Sequence, residues 1–387
     1  MSGARRLGLA GFFAIAVAFG PARNGYGLFL PDIRSEFGLS TELSGIIASA
    51  SQAGYLISLS LVGLLVGRLG PRIPVVIGGL SAGLGMGLVA LAPNAAVLAI
   101  GFVLAATYAG WSWAPYNDAA DLMVAQRYRD RVLSVISTGT TFGILMAGLA
   151  ALAASADWRT AWLVFSGAAL AATALNAWFL PGGSHEAPGQ APRPRPKLGW
   201  LVRSESAPLF VTAFSFGLVS AFYWAFAVDL ISRSVTFAGT GPIFYVVLGI
   251  VGFVGVFTGD AVSRFGLRRV LLAILLALAA AAFLLGVAPG WWPAVGASAI
   301  LYGACVMFMS ALLAVWSSAV FAEQPSTGFS ATLVLFGIGS TIGPATLGAF
   351  ASGFGLEAAF LMSATLALLP MLVLPTKELH PQTEQSS

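Results

Sequence analysis

Apolar residues run along this chain in long blocks separated by short polar breaks. About 20 residues, rising 1.5 Å each, cross the roughly 30 Å hydrocarbon core of a bilayer. Twelve stretches of that kind can be marked. They lie near 7–30, 43–67, 73–92, 95–118, 132–154 and 160–180, then near 207–231, 241–262, 269–288, 292–318, 327–352 and 356–375. Between the sixth and seventh, Pro188, Pro192, Pro194 and Pro196 alternate with Arg193, Arg195 and Lys197, which reads as a polar, flexible linker. The pattern predicts an all-α integral membrane protein with an N-terminal six-helix bundle over 1–180 and a linker over 181–206. A C-terminal six-helix bundle over 207–376 and a tail over 377–387 complete it. Arg5 and Arg6 before an apolar run resemble a signal peptide. Apolar text resumes after Arg23 as far as Pro31, however, so a retained first helix is expected.

The second half repeats the first. Arg68-x-Gly70-x-Arg72 returns 196 residues later as Arg264-x-Gly266-x-Arg268, with Gly63 and Gly259 each five positions ahead of the first arginine. Gly143 maps to Gly339 in the same register. Six spans bring the chain back to the same side, so the repeat is parallel, about an axis along the membrane normal.

Composition supports the membrane reading. Hydrophobic residues make up 58% and charged residues 9%, against about 45–50% and about 25% in soluble domains. The net charge of +4 sits in short loops and is not a nucleic-acid footprint. Placing both termini in the cytoplasm puts 15 of the 19 Lys and Arg residues on that side, as the positive-inside rule requires. The exceptions are Arg34, Arg159, Arg233 and Arg23. A bacterial inner membrane is the expected location. Cys305 is the single cysteine, and His185 and His380 fall in the linker and tail, so no metal site and no cofactor are expected. No Gly-x4-Gly-Lys-Ser/Thr loop for ATP occurs. The expected unit is a monomer in the lipid bilayer.

The loop motif has a physical reading. Gly63 and Gly70 permit close helix approach and a tight turn, and the arginines can bond helix C-terminal carbonyls. Repeated in both halves, Gly63, Arg68, Gly70 and Arg72 with Arg264, Gly266 and Arg268 form a candidate inner gate. At this point the chain resembles the major facilitator superfamily over nearly its whole length. The family's loop reads Gly-x3-acid-Arg-x-Gly-x-Arg/Lys, and the Trp158-Arg159 entry to the sixth helix is also similar. The text Gly25-Tyr26-Gly27-Leu28-Phe29-Leu30-Pro31 is similar to the bacterial YbfB/YjiJ-type branch. The motif's acid is replaced by Gly67 and Ser263, which puts the family's usual latch in question; Asp260, one turn before Ser263, is a candidate substitute. The resemblance implies twelve helices in two rocking bundles, with helices 1, 4, 7 and 10 lining the cavity.

A charge inside the bilayer costs at least about 2.5–3.5 kcal/mol, which makes it a functional candidate. Arg23 lies roughly 24 Å along the helix from Leu7. Tyr26 shares its face and Asn24 adjoins it, a pairing that suits a carboxylate or other oxyanion. Its repeat partner is Val219. The fourth helix offers Tyr108 and Trp111 toward the cavity. Asp118 and Asp121 are expected to pair with Arg72, Arg127 or Arg131 at the inner gate. Tyr223, Trp224 and Tyr302 are further substrate-binding candidates, and Asp118 and Asp229 are the proton-coupling candidates. A transporter of a small organic solute, an anion foremost, is the expected function. An efflux pump for hydrophobic compounds is the alternative. A membrane enzyme is disfavoured because no cluster of His, Cys or acids is evident.

Overall fold

A computed structural model describes residues 3–154, 157–183, 201, 203–235 and 239–375. Arg193, Arg195, Lys197, Lys377, His185 and His380 lie outside the described residues. Twelve helices are long and apolar enough to cross a membrane. In chain order they are α1 (Gly3–Phe37), α2 (Thr41–Leu69), α3 (Arg72–Ala90), α4 (Ala95–Met123), α5 (Gln126–Ala154) and α6 (Trp158–Phe179). The second half holds α7 (Ala207–Ser234), α8 (Thr240–Phe265), α9 (Leu267–Val287), α10 (Trp292–Val320), α11 (Pro325–Phe354) and α12 (Leu356–Val373). No strand occurs among the described residues. Below, the face holding Gly3 is called proximal and the opposite face distal.

Helix ends follow from local chemistry. Ser40 and Asn94 cap α2 and α4, their side chains accepting from the Leu43 and Val97 amides. The two motif loops turn on Gly70 and Gly266 at φ of 69° and 80°, which disfavours a side chain. Two spans are broken. In α1 the residues Ala18–Ala22 form a π turn around Pro21. Proline has no amide proton and its ring crowds the carbonyl four residues back, so the wider turn relieves both problems. In α8 a 3-10 segment, Phe253–Phe257, precedes a last helical piece, Thr258–Phe265.

The repeat is a packing repeat as well as a sequence repeat. Helix α5 lies on α1, and a Cβ at Gly143 would stand 2.0 Å from the Ala16 carbonyl oxygen. Helix α11 lies on α7 in the same way, and a Cβ at Gly339 would stand 2.1 Å from the Phe214 carbonyl oxygen. Small residues are what allow backbones to approach this closely.

The bundles meet along α2 with α11, α5 with α8, and the distal half of α1 with α7. Gly45 abuts the Pro344 carbonyl, and the Ala345 amide donates to Ser49 Oγ at 2.8 Å. Gly337 abuts Leu56, Gly249 abuts Leu145, and Gly148 abuts the Pro242 carbonyl. The contact tightens at Gly27, where a Cβ would fall 1.8 Å from the Trp224 carbonyl oxygen. Gly45, Ser49, Leu56 and Gly63 share one stripe of α2. The first three touch α11, whereas the Cβ position at Gly63 has nothing within 4 Å. The seam is therefore shut at the distal face and parts toward the proximal face.

Gly27→Val should hold the distal ends apart. Spin labels at the distal ends of α1 and α7 should report a longer distance than in the parent protein; an unchanged distance would show that this contact does not set the closed seam.

Candidate functional site

Arg23 begins the regular helix just after the π turn of α1. The turn itself is capped, because Asn24 Nδ2 donates to the Phe19 carbonyl at 2.6 Å. From α8, Tyr245 Oη donates to the Asn24 carbonyl at 2.8 Å, across the seam. Tyr26 Oη donates to the Ser44 carbonyl at 2.9 Å. Asn24 and Tyr26 thus fix the backbone that carries Arg23.

The Arg23 guanidinium donates through Nε and Nη2 to Gln52 Oε1, at 3.3 and 3.2 Å. Its carbon lies 3.8 Å from the Tyr55 ring centroid, 5.7 Å from that of Phe19 and 5.5 Å from that of Phe336. Those rings belong to both bundles. Attraction to aromatic faces lowers the cost of holding the cation here, but it supplies no opposite charge. Among the described residues, Arg23 forms no ion pair. On the distal side, Arg23, Asn24, Tyr26, Gln52 and Trp224 line a void of about 20 Å³, room for a water molecule and not for an organic solute.

Tyr223 and Tyr302 are fully buried and stacked, with centroids 3.6 Å apart and planes at 11°. Tyr223 Oη bonds Ser298 Oγ at 2.6 Å and Tyr302 Oη bonds Ser220 Oγ at 2.7 Å. Trp224 sets its edge against Tyr302 and Tyr245. Only Trp224 of these three lines the void beside Arg23. Tyr108 and Trp111, expected toward the cavity, straddle Gly78 of α3. A missing side chain on α3 leaves a slot that large rings fill, and this draws that face of α4 away from the centre. Trp113 meets Phe19 instead, at 6.1 Å, and brings α4 to the Arg23 cluster.

Among the described residues, no ion pair joins the motif arginines Arg68, Arg72, Arg264 and Arg268 across the seam. Arg72 Nε donates to the Leu180 carbonyl at the C-terminus of α6, at 2.7 Å, inside its own bundle. Asp121 pairs with Arg129 at 2.7 Å, a correction to the expected partners Arg72, Arg127 or Arg131. The short α4–α5 connection places Arg129 over the end of α4, where it also bonds the Asp121 and Val124 carbonyls. Among the described residues, Arg68, Arg264, Arg268 and Asp260 form no ion pair. Gly63 and Gly259 face open space, and Asp118 is partly buried near the proximal end of α4.

The distal face holds a charge cluster that sequence reasoning did not assemble. Arg34 of α1 pairs with Asp229 of α7 across the seam at 2.6 Å, and Arg233 binds the same carboxylate oxygen at 2.7 Å. Arg34 Nε also donates to the Leu39 carbonyl, and Arg233 reaches Thr41 Oγ1 of α2 at 3.5 Å. In the sequence Asp229 is legible only as a coupling candidate. The available signal was that Arg34 and Arg233 are two of the few cations off the positive side. Nearby, Arg159 and Trp158 both bind Glu36, and Arg159 caps the Ala90 and Ala92 carbonyls.

Asp229→Asn leaves Arg34 and Arg233 facing each other without a carboxylate. The two arginines keep part of their surface in water, so the closed seam should lose less than the ~3–5 kcal/mol of a fully buried pair. Amide hydrogen exchange at the distal ends of α1 and α7 should quicken; protection equal to the parent's would rule out a latch.

Several solved transporter structures share this architecture. The nucleoside transporter NupG, in a single-site mutant form, superposes with a TM-score of 0.78 at 13% identity, covering 96% of this chain and 100% of that one. A bacterial homologue of the human lysosomal transporter Spinster, inward-facing and unoccupied, gives 0.74 at 14% identity, covering 96% of each chain. A peptide transporter, POT, in complex with sulfate, gives 0.76 at 14% identity, covering 96% and 93%. Among curated sequences, the Transcription regulatory protein OpdE of Pseudomonas aeruginosa is 27% identical over 380 residues, covering 95% of this chain and 91% of the relative. The family model described as Major Facilitator Superfamily matches residues 9–262. With twelve spans in two repeated bundles around a parted seam, the chain belongs to the Major Facilitator Superfamily of membrane transporters.

Proposed function

We propose that this chain carries a small organic anion, a carboxylate foremost, by rocking its two bundles about the seam. The observation that carries this reading is Arg23. It is a partly exposed cation at mid-span with no carboxylate partner among the described residues, held at the seam by side chains of both bundles. A carboxylate arriving from the proximal side would complete its charge-assisted hydrogen bonds and displace the Gln52 amide. Tyr55, Phe19 and Phe336 would flank the bound solute, and Trp224 would cover it distally.

The rocking units are the bundles over 1–180 and 207–376, joined by the linker 181–206. Both termini are assigned to the cytoplasm, so the proximal face is the cytoplasmic one. When the distal seam opens, the Arg68 and Arg264 loops would close toward each other, with Asp260 and Asp118 near them. Proton coupling is assigned to Asp229, because protonation removes the charge that Arg34 and Arg233 share. The name of the Pseudomonas relative supports a second reading, a membrane sensor that binds its solute without moving it. The aromatic setting supports a third, efflux of hydrophobic compounds.

Thermal stabilisation of the purified protein by carboxylates tests the ligand. Losing one partner of a buried charge pair costs about 2–5 kcal/mol, so Arg23→Gln should weaken carboxylate binding about 30-fold or more. Arg23→Lys should retain part of it. Stabilisation by lipophilic cations and by no carboxylate would sink the anion reading in favour of efflux. Carboxylate binding without flux in proteoliposomes would favour the sensor.

A further inference from the structure

A second cavity lies on the outside of the C-terminal bundle, away from the seam. It is a groove of about 350 Å³ between the proximal ends of α8 and α9 and the middle of α10. Its walls are helical stripes: Ala261 and Phe265 on α8, Val270, Ala273, Ile274 and Ala277 on α9, and Ala304, Cys305 and Phe308 on α10. The single polar-headed lining residue is Arg269, at the proximal mouth. Arg269 is exposed and, among the described residues, forms no ion pair. Arg264 and Arg268 stand nearby in the chain and are likewise exposed and unpaired, with Asp260 the one acid close in sequence. Three cations against one acid leave this edge at +2.

The groove has the dimensions of one leaflet. Arg269 to Ala277 is eight residues, about 12 Å along a helix, against about 15 Å for half a hydrocarbon core. Four alanines carve it, and the mouth lies where headgroups lie. An uncharged solute would gain nothing from the arginine, and a fully polar one would meet an apolar wall.

The first bundle shows that the repeat does not require this groove. Gly78 lies 196 positions before Ile274, and Tyr108 fills the slot over Gly78. In the second bundle Ala304, 196 positions after Tyr108, lines the groove instead, and beside it the Cys305 thiol donates to the Ile274 carbonyl at 3.5 Å. Arg269 likewise replaces Ile73. The large ring is lost and the cation gained at the same edge of one bundle only.

We infer that this groove binds an anionic phospholipid of the proximal leaflet, one acyl chain lying along α9 and the headgroup phosphate held by Arg269. Basic pockets between spans on the cytoplasmic side are suited to such headgroups. Because α8 lines both groove and seam, an occupied groove would brace the proximal end of α8.

Native mass spectrometry of the delipidated protein, titrated with phosphatidylglycerol, phosphatidylcholine or oleate, tests this. Phosphatidylglycerol should give the tightest adduct. One arginine beside an anionic headgroup is worth about fivefold in affinity, so Arg269→Gln should weaken that adduct by about this factor. Ala273→Phe, which fills an exposed part of the groove, should remove the adduct while leaving the melting temperature of the lipid-free protein unchanged. Equal binding of phosphatidylcholine, stronger binding of oleate, or adducts indifferent to both substitutions would each overturn the assignment.

Discussion

The arrangement depends on how closely two bundles can bring their backbones together. A bilayer offers no hydrophobic gain for helix association, because lipid tails are as apolar as leucine, so contact must come from packing and polar bonds. Gly27, Gly45, Gly148 and Gly249 meet backbone across the seam. That contact aligns Arg34 with Asp229 and the Tyr245 hydroxyl with the Asn24 carbonyl. The seam is thus a flat glycine surface fastened at a few polar points. Such a surface can part without tearing a core, which suits alternation between two faces.

The break in α1 is the second element on which function turns. Pro21 forces the π turn, Asn24 and Tyr245 satisfy the backbone it disturbs, and Arg23 emerges at the seam. An arginine at that depth normally finds an acid. Here it finds an amide and aromatic faces that divide its charge between both bundles. The only cross-seam carboxylate pairing described lies distally, at Asp229, and is already claimed by two arginines. The charge left for a solute is therefore positive.

The two halves use the same frame for different ends. Gly143 and Gly339 perform one packing role twice. Arg23 against Val219, Tyr108 and Gly78 against Ala304 and Ile274, and Ile73 against Arg269 are departures from that symmetry. The departures fall at the seam and at the lipid-facing groove, the two places with unfilled space.

By itself the sequence determined the twelve spans, the repeat, the turns at Gly70 and Gly266, and the prominence of Arg23. Each of these rests on local rules: bilayer thickness, positive φ at glycine, and the cost of a buried charge. It also singled out Trp224, which the tertiary structure sets beside Arg23. What it could not determine was direction around each helix. Tyr108 and Trp111 were legible as an aromatic face, but whether that face meets a cavity or a neighbour was decided by the slot at Gly78 on another helix. Gln52, Tyr55 and Phe336 reach Arg23 only because α2 and α11 meet at the seam, and Arg34 reaches Asp229 only because α1 meets α7. Such pairings join positions far apart in sequence, and only the tertiary packing of glycine against backbone brings them into contact.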